Sequence, residues 1–214
     1  MGLQFMDIFK EWASQYDETV NGHDEQYKEV FAGYDAMLDA VVEQLDGRVM
    51  EFGVGTGNLS ARILKRHDMI AIEPSTEMRE VAVQKLGIDV KTGDFLNYPT
   101  DQPVDSIVSS YAFHHLTDEE KRQAIESYVN DLNSPRFVLL DTMFESVETR
   151  AEIINWATEN GFSDLVEDLN REFYPYTETI RSILEDNGYS VQMEQKNKFV
   201  WLVVATKHTG GTQS

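Results

Sequence analysis

The chain has 214 residues, of which 41% are hydrophobic, and its 18 Lys and Arg residues face 38 Asp and Glu residues, a formal net charge of −20. Chains of this length usually form one domain with a complete core, so we expect a single domain over 1–207 and a disordered tail over 208–214. The strong negative charge would repel a phosphate backbone, which argues against a nucleic acid partner.

Cysteine is absent from the chain, which excludes disulfides and thiolate metal sites, and we predict no metal. The first twelve residues, MGLQFMDIFKEW, lack the apolar core of a signal peptide. No apolar run approaches the length of a membrane span, so we expect no membrane partner and a cytoplasmic location.

The first 45 residues carry two helical patterns. The first contains Trp12-Ala13 and Tyr16-Asp17, and the second repeats apolar residues at steps of three and four, which predicts one buried helix face. That face consists of Tyr27, Val30, Phe31, Tyr34, Leu38, Val41, Val42 and Leu45. We expect it to pack on a sheet, because aromatic and aliphatic side chains at this spacing are typical of core.

A short apolar run, Val49 to Phe52, leads into Gly53, Gly55 and Gly57, and an amphipathic stretch follows. This order predicts a strand, a glycine turn and a helix. Glycines at alternate positions allow positive φ and leave room for a ligand close to the backbone. The first amides of the helix would then face that ligand.

The residues around the glycines indicate which ligand this is. A dinucleotide fingerprint has the pattern G-x-G-x-x-G, and its third glycine is replaced here by Asn58. The chain instead reads E-x-G-x-G-x-G from Glu51, and the next apolar run, MIAIE, ends in a second acid, Glu73. This pattern resembles class I S-adenosylmethionine-dependent methyltransferases, and paired acids suit a ligand that has a ribose and a cationic methionine end but no pyrophosphate.

The remaining chain alternates strands and helices. Strands are predicted at 68–73, in IDVKTGDF, from Val104 to Val108 and in RFVLLDTMF, and helices follow the caps at Ser75 and Thr117. A helical stretch is predicted over 145–175 and another helix over 176–187. YSVQMEQ and KFVWLVVATK read as an antiparallel pair. The pattern predicts an α/β fold with a mostly parallel sheet, in agreement with the seven-stranded, Rossmann-like three-layer sandwich that the resemblance implies.

The resemblance covers nearly the whole chain and is greatest to the uncharacterised bacterial methyltransferases of the YrrT type. It implies S-adenosyl-L-methionine as the cofactor and methyl transfer as the activity. The implied contacts are Glu73 on the ribose, Asp94 on the adenine amino group, Phe95 against the adenine ring and Tyr16 against the methionine end. The predicted cofactor-binding set is Tyr16, Glu51, Gly53, Gly55, Gly57, Glu73, Asp94, Phe95 and Ser109. The spare aromatic residues predict that 1–45 and 145–175 form helical covers over the site.

The segment from Ser109 to His115 follows the fourth predicted strand. It lacks the D/N-P-P-Y/F motif of enzymes that methylate nucleobase or glutamine nitrogens, which favours a small-molecule acceptor. His114 and His115 are the candidate general bases, because imidazole titrates near neutral pH. A purely structural role, with one imidazole capping the strand and the other packing under the next helix, explains either histidine equally well.

Two alternatives to an enzyme of this kind stay open from the sequence. A non-catalytic S-adenosylmethionine-binding protein would share the cofactor motifs, and a nicotinamide-dependent oxidoreductase would share the fold.

Overall fold

The strands of the computed structural model form one sheet of seven, flanked by helices. The structure describes residues 19–20, 24–99, 102–132 and 134–207, so the predicted Trp12 to Asp17 segment and the predicted disordered tail lie outside the described residues. The strands are β1 (Val49–Phe52), β2 (Met69–Ile72), β3 (Val90–Lys91), β4 (Ser106–Ser110), β5 (Arg136–Thr142), β6 (Tyr189–Gln195) and β7 (Val200–Lys207).

Their order across the sheet is β3-β2-β1-β4-β5-β7-β6. β1 to β5 pair in parallel, whereas β7 runs antiparallel to both β5 and β6. The predicted parallel sheet with an antiparallel terminal hairpin is confirmed. The second strand of the hairpin, β7, lies inside the sheet. It pairs along its length with β5 on one side and with β6, the edge strand, on the other.

Helices cover both faces of the sheet. They are α1 (Tyr34–Val42), α2 (Ser60–Ile63), α3 (Thr76–Leu86), α4 (Asp118–Ser127), α5 (Val147–Glu159), α6 (Ser163–Arg171) and α7 (Thr177–Asp186). The predicted caps are confirmed: Ser75 accepts a hydrogen bond from the Met78 amide at 3.3 Å, and Thr117 forms a capping box with Glu120. α7 ends at Asp186, in agreement with the helix predicted over 176–187, and Asn187 and Gly188 follow it.

Alternate residues of the central strands supply two separate cores. Val108, Val138 and Leu140 face α1, α2, α5 and α6, whereas Ile107, Phe137 and Leu139 face α4 and α7. This follows from the period of two along a strand, which points successive side chains to opposite faces. Strands buried on both faces must be continuously apolar, which is why β5 is buried over almost its whole length.

One helical prediction was wrong in extent. The predicted helix from Tyr27 to Leu45 is a series of turns up to Gly33, whose φ of +80° interrupts the helix, and α1 begins only at Tyr34. The predicted helical stretch over 145–175 consists of two helices, α5 and α6, separated at Gly161, where φ is +73°. In both places a glycine in the left-handed conformation ends the regular hydrogen-bonding pattern.

Among the helices of the described residues, none has the length and apolar content that would be needed to cross a membrane.

A buried acid joins β1 to α2. Glu51 is 1% exposed, and its carboxylate accepts a hydrogen bond from the Ser60 hydroxyl at 2.6 Å. Burial raises the pKa of Glu51 to about 8, although the bond from Ser60 opposes the shift. Because this pKa is raised in the folded state, the protonated form stabilises the fold, and that stability is lost as pH rises from about 4.5 through about 8.

We therefore expect Glu51→Gln, which mimics the protonated side chain, to become more stable relative to the wild type as pH rises. Between pH 5 and pH 9 the gain should be on the order of 2 kcal/mol or more, since each pKa unit corresponds to about 1.4 kcal/mol. Denaturant unfolding across this range measures it. Glu80→Gln, on the exposed side of α3, is the control; equal pH dependence in wild type and Glu51→Gln would contradict the assignment.

Candidate functional site

The glycine turn connects β1 to α2 at the carboxyl edge of the sheet. Gly53, Gly55 and Gly57 have φ values of +70°, +57° and +85°. A Cβ on Gly53 would lie 2.6 Å from the Ala112 Cβ, and one on Gly57 would lie 2.7 Å from the Leu86 Cδ1, so these two glycines permit close packing. A Cβ on Gly55 would meet nothing within 4 Å. Gly55 is therefore the glycine of the three that faces open space.

Glu73 follows β2 and lies beside this turn. Its two carboxylate oxygens accept hydrogen bonds from the amides of Gly55 and Ser75, both at 2.8 Å. Burial raises the pKa of Glu73 to about 7, while the two amides and the charge of Arg79 act in the opposite direction. The side chain is 4% exposed and lines the cleft described next. Glu51, in contrast, lies beneath the turn on Ser60 and does not line the cleft.

A cleft with a volume of about 60 Å³, partly open to solvent, lies over the ends of β1, β2 and β4. Open α/β sheets bind ligands at this edge, where the strand order reverses. The cleft is lined by Tyr34, Gly53, Val54, Gly55, Thr56, Asn58, Leu59, Glu73, Met78, Ser110, Tyr111, Ala112 and His115.

Tyr111 is the non-glycine residue with a positive φ, +50°, in the part of the chain that the structure describes. Its ring packs on Phe31 and Tyr34, with centroid distances of 5.2 and 5.6 Å. Its hydroxyl is buried without a hydrogen-bond partner among the described residues. Backbone strain and an unsatisfied buried polar group both cost free energy and both concentrate at functional sites.

His114 lies in a short 3₁₀ turn, Phe113–His115. This turn directly follows Ser110, Tyr111 and Ala112, which line the cleft. Its Nδ1 is 2.6 Å from Oδ1 of Asp141, and its backbone amide donates to the other oxygen of the same carboxylate at 3.1 Å. Burial acts to lower the pKa of His114, but the Asp141 carboxylate more than compensates and raises it. The ring packs on Tyr174, with centroids 4.8 Å apart. These contacts favour a buried imidazolium paired with Asp141.

His115 has a different environment and lines the cleft. Its Nδ1 is 2.9 Å from Oε2 of Glu172, in the segment after α6. Burial lowers the pKa of His115, and the neighbouring His114, whose ring centroid is 4.2 Å away, lowers it further. The bond to Glu172 opposes the shift without reversing it. His115 is therefore held as a neutral imidazole at neutral pH.

The segment that carries Glu172 is fastened to the histidine turn. The Phe173 amide donates to the His114 carbonyl oxygen at 3.1 Å. Lys121, whose side chain is fully buried, donates from Nζ to the carbonyl oxygens of Phe173 (2.7 Å) and Leu116. Through these contacts the loop after α6 keeps its position over the end of β4.

The same loop is linked to the N-terminal segment. Tyr27 donates to Asp168 of α6. The Gln26 side chain accepts a hydrogen bond from the Asp164 backbone amide at 3.0 Å and donates one to the Asp164 carboxylate at 2.9 Å. Arg171 also pairs with Asp168. The parts of the two predicted covers that the structure describes are therefore bonded to each other; their closure over the site stays a prediction.

Four further predicted contacts, Gly57 among them, do not line the cleft. Asp94 accepts hydrogen bonds from the amides of Leu96 and Asn97 at 2.8 and 3.0 Å, which closes a turn after β3. Phe95 is 1% exposed and packs in the core against Phe52. Ser109 is fully buried, and its hydroxyl has no hydrogen-bond partner among the described residues. Tyr16 lies outside the described residues.

The sequence interpretation missed Asp141, Glu172, Tyr111 and Lys121. A weak signal existed for Asp141, an acid at the end of an apolar strand, which is the same pattern that singled out Glu73. Glu172 had no such signal, because it lies in a polar stretch between helices. Its importance follows only from the contact with His115, 57 residues earlier.

Comparison with known proteins agrees with this architecture. A methyltransferase domain family model matches residues 49–134. Over 211 residues the chain is 50% identical to an uncharacterized methyltransferase of Oceanobacillus iheyensis, covering 97% of this chain and 99% of that protein. The chain belongs to the class I S-adenosylmethionine-dependent methyltransferases.

Solved structures share the fold of this methyltransferase. Magnesium protoporphyrin IX methyltransferase of Synechocystis PCC 6803, with bound S-adenosylhomocysteine, has a TM-score of 0.71 at 18% identity and covers 94% of this chain and 97% of its own. A methyltransferase of Thermotoga maritima, described as a possible histamine N-methyltransferase, has a TM-score of 0.66 at 20% identity and covers 95% and 99%.

S-adenosylmethionine is the cofactor of the methyltransferase. The described residues fit this molecule. The position of a Cβ on Gly55 is open space at the cleft, and Glu73 supplies a carboxylate for hydroxyl groups. A methyl group added at Gly55 would fill part of that space.

We expect Gly55→Ala to fold but to bind S-adenosylmethionine at least ~10-fold more weakly, a loss of about 1.4 kcal/mol. Gly87→Ala is the matched control, because Gly87 ends α3 with a φ of +67°, also has nothing within 4 Å of a Cβ, and does not line the cleft. Both variants should lose ~1 kcal/mol of stability. Calorimetric titration and unfolding measure the two effects; equal affinity in both variants would show that Gly55 does not contact the cofactor.

Proposed function

We propose that this methyltransferase methylates a small-molecule acceptor whose nucleophilic atom carries a proton, with His115 as the general base. The observation that carries the proposal is that His115 lines the same cleft as the glycine turn and Glu73. When bound, S-adenosylmethionine supplies an electrophilic methyl group on a sulfonium. The protein then has to orient the acceptor, exclude water and accept one proton.

Three observations support a small molecule as the acceptor. The net charge of −20 disfavours nucleic acid, and residues 109–112 read Ser-Ser-Tyr-Ala in place of the motif of nucleobase and glutamine methyltransferases. The two solved neighbours are named for a porphyrin and, as a possibility, for histamine.

Within the cleft we assign binding of the ribose hydroxyls to Glu73. Each oxygen of its carboxylate already accepts one backbone amide, and each retains acceptor capacity for a hydroxyl group. Gly53 and Gly55 supply the backbone surface, Gly57 packs against Leu86 behind it, and Tyr111 offers a buried hydroxyl to a ligand. Glu51 acts on the cofactor only through the turn that it supports from below, and for Asp94, Phe95 and Ser109 contact with the cofactor stays a prediction.

His115 suits the role of base better than His114. A neutral imidazole can accept a proton at neutral pH, whereas the imidazolium that Asp141 favours at His114 cannot. His115 also lines the cleft, and His114 does not. The non-catalytic alternative retains the same cofactor contacts but gives this base no task, and family membership argues against a nicotinamide-dependent oxidoreductase.

The assignment of Glu73 predicts a pH-dependent affinity for S-adenosylmethionine. The ionised carboxylate is the better acceptor of two hydroxyl hydrogen bonds, and the pKa of Glu73 in the free protein is about 7, so affinity should weaken as pH falls from 8 to 6. Glu73→Gln should bind ~10- to 100-fold more weakly at pH 8, and without this dependence. Calorimetry measures both, with Glu80→Gln as control. A wild-type affinity that is constant over this range would oppose the assignment.

The proposed reaction is tested with methyl-labelled S-adenosylmethionine and the small-metabolite fraction of bacterial cells. We expect transfer of the label to a small product together with release of S-adenosylhomocysteine. In single turnover with the fraction that supports transfer, His115→Gln should be at least ~10²-fold slower, because a general base contributes about this much. His67→Gln is the control, because His67 lies just before β2, at the opposite edge of the sheet. Its Nδ1 is 2.9 Å from the carbonyl oxygen of Gly47.

Tight cofactor binding without transfer to any fraction would favour the non-catalytic alternative. Full turnover by His115→Gln, with normal cofactor binding, would show that His115 is not the general base, while the assignment of methyl transfer would stand.

A further inference from the structure

Two imidazole–carboxylate pairs lie side by side at the end of β4, although the proposed reaction needs only one base. The pairs are His114 with Asp141 and His115 with Glu172. All four side chains are buried. Burying a second pair beside the base costs desolvation free energy, so we expect that pair to have a physical role.

The His115–Glu172 contact determines where the proton of the neutral ring lies. Glu172 is an acceptor when ionised, and the pKa of its carboxyl is lowered: burial raises it, but the hydrogen bond from His115 and the neighbouring cationic groups outweigh burial. The Nδ1 atom of His115 must therefore carry the hydrogen and donate it to Oε2 of Glu172. In this tautomer the lone pair of the ring is on Nε2.

The His114–Asp141 pair is held rigidly. Asp141 is fully buried and accepts three hydrogen bonds, from His114 Nδ1, from the His114 amide and from the Thr142 amide (2.6, 3.1 and 2.8 Å). The ring of His114 is confined on its other sides by Tyr174 and His115. The ring of His114 therefore lies in a fixed position 4.2 Å, centroid to centroid, from the ring of His115, and the protonated form that Asp141 favours opposes a second positive charge there.

We propose that Glu172 is a positioning residue for methyl transfer, which holds His115 as the Nδ1–H tautomer, while the His114–Asp141 pair keeps His115 neutral until it receives the acceptor's proton. The inference rests on the proposed function for its catalytic meaning. In the reaction the nucleophile forms a bond to the methyl carbon, the methyl–sulfur bond breaks with its electron pair left on sulfur, and the proton of the nucleophile moves to Nε2 of His115. Glu172 then stabilises the imidazolium that forms.

The charges around His115 are consistent with this division of roles. Glu172 and Asp141 favour its protonation, whereas His114 opposes it. Lys121 packs under the same turn but directs its ammonium group to the Leu116 and Phe173 carbonyl oxygens and to Asp118. Arg171 lies beyond Glu172, with Nε 3.4 Å from Oε1, the oxygen that His115 does not use. Asp168 pairs with Arg171 and Tyr27.

One ligand atom from each of His114, His115 and Glu172 lies within 4.8 Å of the others, so the cluster also has the composition of a metal site. The 2.9 Å contact between His115 and Glu172 has the length of a hydrogen bond. We therefore assign a proton and not a metal ion between them, and the experiment distinguishes the two.

The test uses the full-length protein without ligand, labelled with ¹⁵N in the histidine rings. Signals are assigned with His114→Gln and His115→Gln, and the ring ¹⁵N shifts report tautomer and charge. We expect His115 to be neutral with hydrogen on Nδ1 at pH 7.5, and His114 to be cationic. An Nε2–H tautomer or a cationic His115 in the wild type would overturn the proposal, whatever the outcome of the activity assays.

Two replacements of Glu172 separate its hydrogen bond from its charge. Glu172→Gln keeps an oxygen that can accept from Nδ1–H, so the tautomer should persist, and loss of the negative charge should move the titration of His115 to lower pH. Glu172→Ala should give a mixture of tautomers. Unfolding curves confirm that each variant is folded, and if Glu172→Ala does not fold, the comparison of Glu172→Gln with the wild type carries the test.

With the metabolite fraction that supports transfer, we expect Glu172→Ala to lower kcat ~10-fold or more and Glu172→Gln to restore part of the loss, with little change in KM. An unchanged tautomer in Glu172→Ala would refute the positioning role. Titration of the wild type with Zn²⁺ completes the test: one equivalent bound by wild type and lost in Glu172→Ala would identify a metal site and overturn the proposal.

Discussion

The parallel pairing of β1 with β2 on one side and β4 on the other is the constraint on which the site depends. Glu51 pairs in register with Ala71 and with Val108, so the ends of the three strands lie at the same edge. The glycine turn, Glu73 and the segment from Ser110 to His115 each begin where one of these strands stops. No single segment forms the cleft, because each wall belongs to a different strand end.

Burial of ionisable side chains is the common electrostatic feature of this edge. It raises the pKa of Glu51 and Glu73 and lowers that of His115. The outcome at each position depends on the neighbours: backbone amides act on Glu73, a hydroxyl on Glu51 and carboxylates on the histidines. Two adjacent imidazoles, alike in sequence, therefore have opposite shifts, because Asp141 outweighs burial at His114, whereas burial and the cation outweigh Glu172 at His115.

Hydrogen bonds connect the N-terminal segment to α6 and the loop that carries Glu172. Glu172 is in the loop that α6 leads into, and α6 is bonded to the N-terminal segment through Tyr27 and Gln26. Asn197 lies in the turn between β6 and β7, and its side-chain amide donates to the Val30 and Ala32 carbonyl oxygens at 3.0 and 3.1 Å. The N-terminal segment is thus attached both to the loop that orients His115 and to the far edge of the sheet.

The sequence alone determined the features that depend on local order. Period-two and helical spacing, the caps at Ser75 and Thr117, and the glycine turn between Glu51 and Glu73 are properties of neighbouring residues, and they were sufficient for the fold class, the family and the cofactor. Where a glycine such as Gly33 or Gly161 takes positive φ, the apolar spacing continued across it, which is why the helix that contains α1 was predicted too long and the break between α5 and α6 was not predicted.

Only the tertiary structure decided the partners of the two histidines and the inward position of β7. Asp141 and Glu172 are 27 and 57 residues from the imidazoles that they hold, and the acid in each case has no local pattern that points to a histidine. Strand spacing likewise does not say which strand of a hairpin lies inside. Contacts of this range form because the folded sheet brings distant strand ends and loops together, so the different environments of the two imidazoles are a property of the fold and not of the sequence His-His.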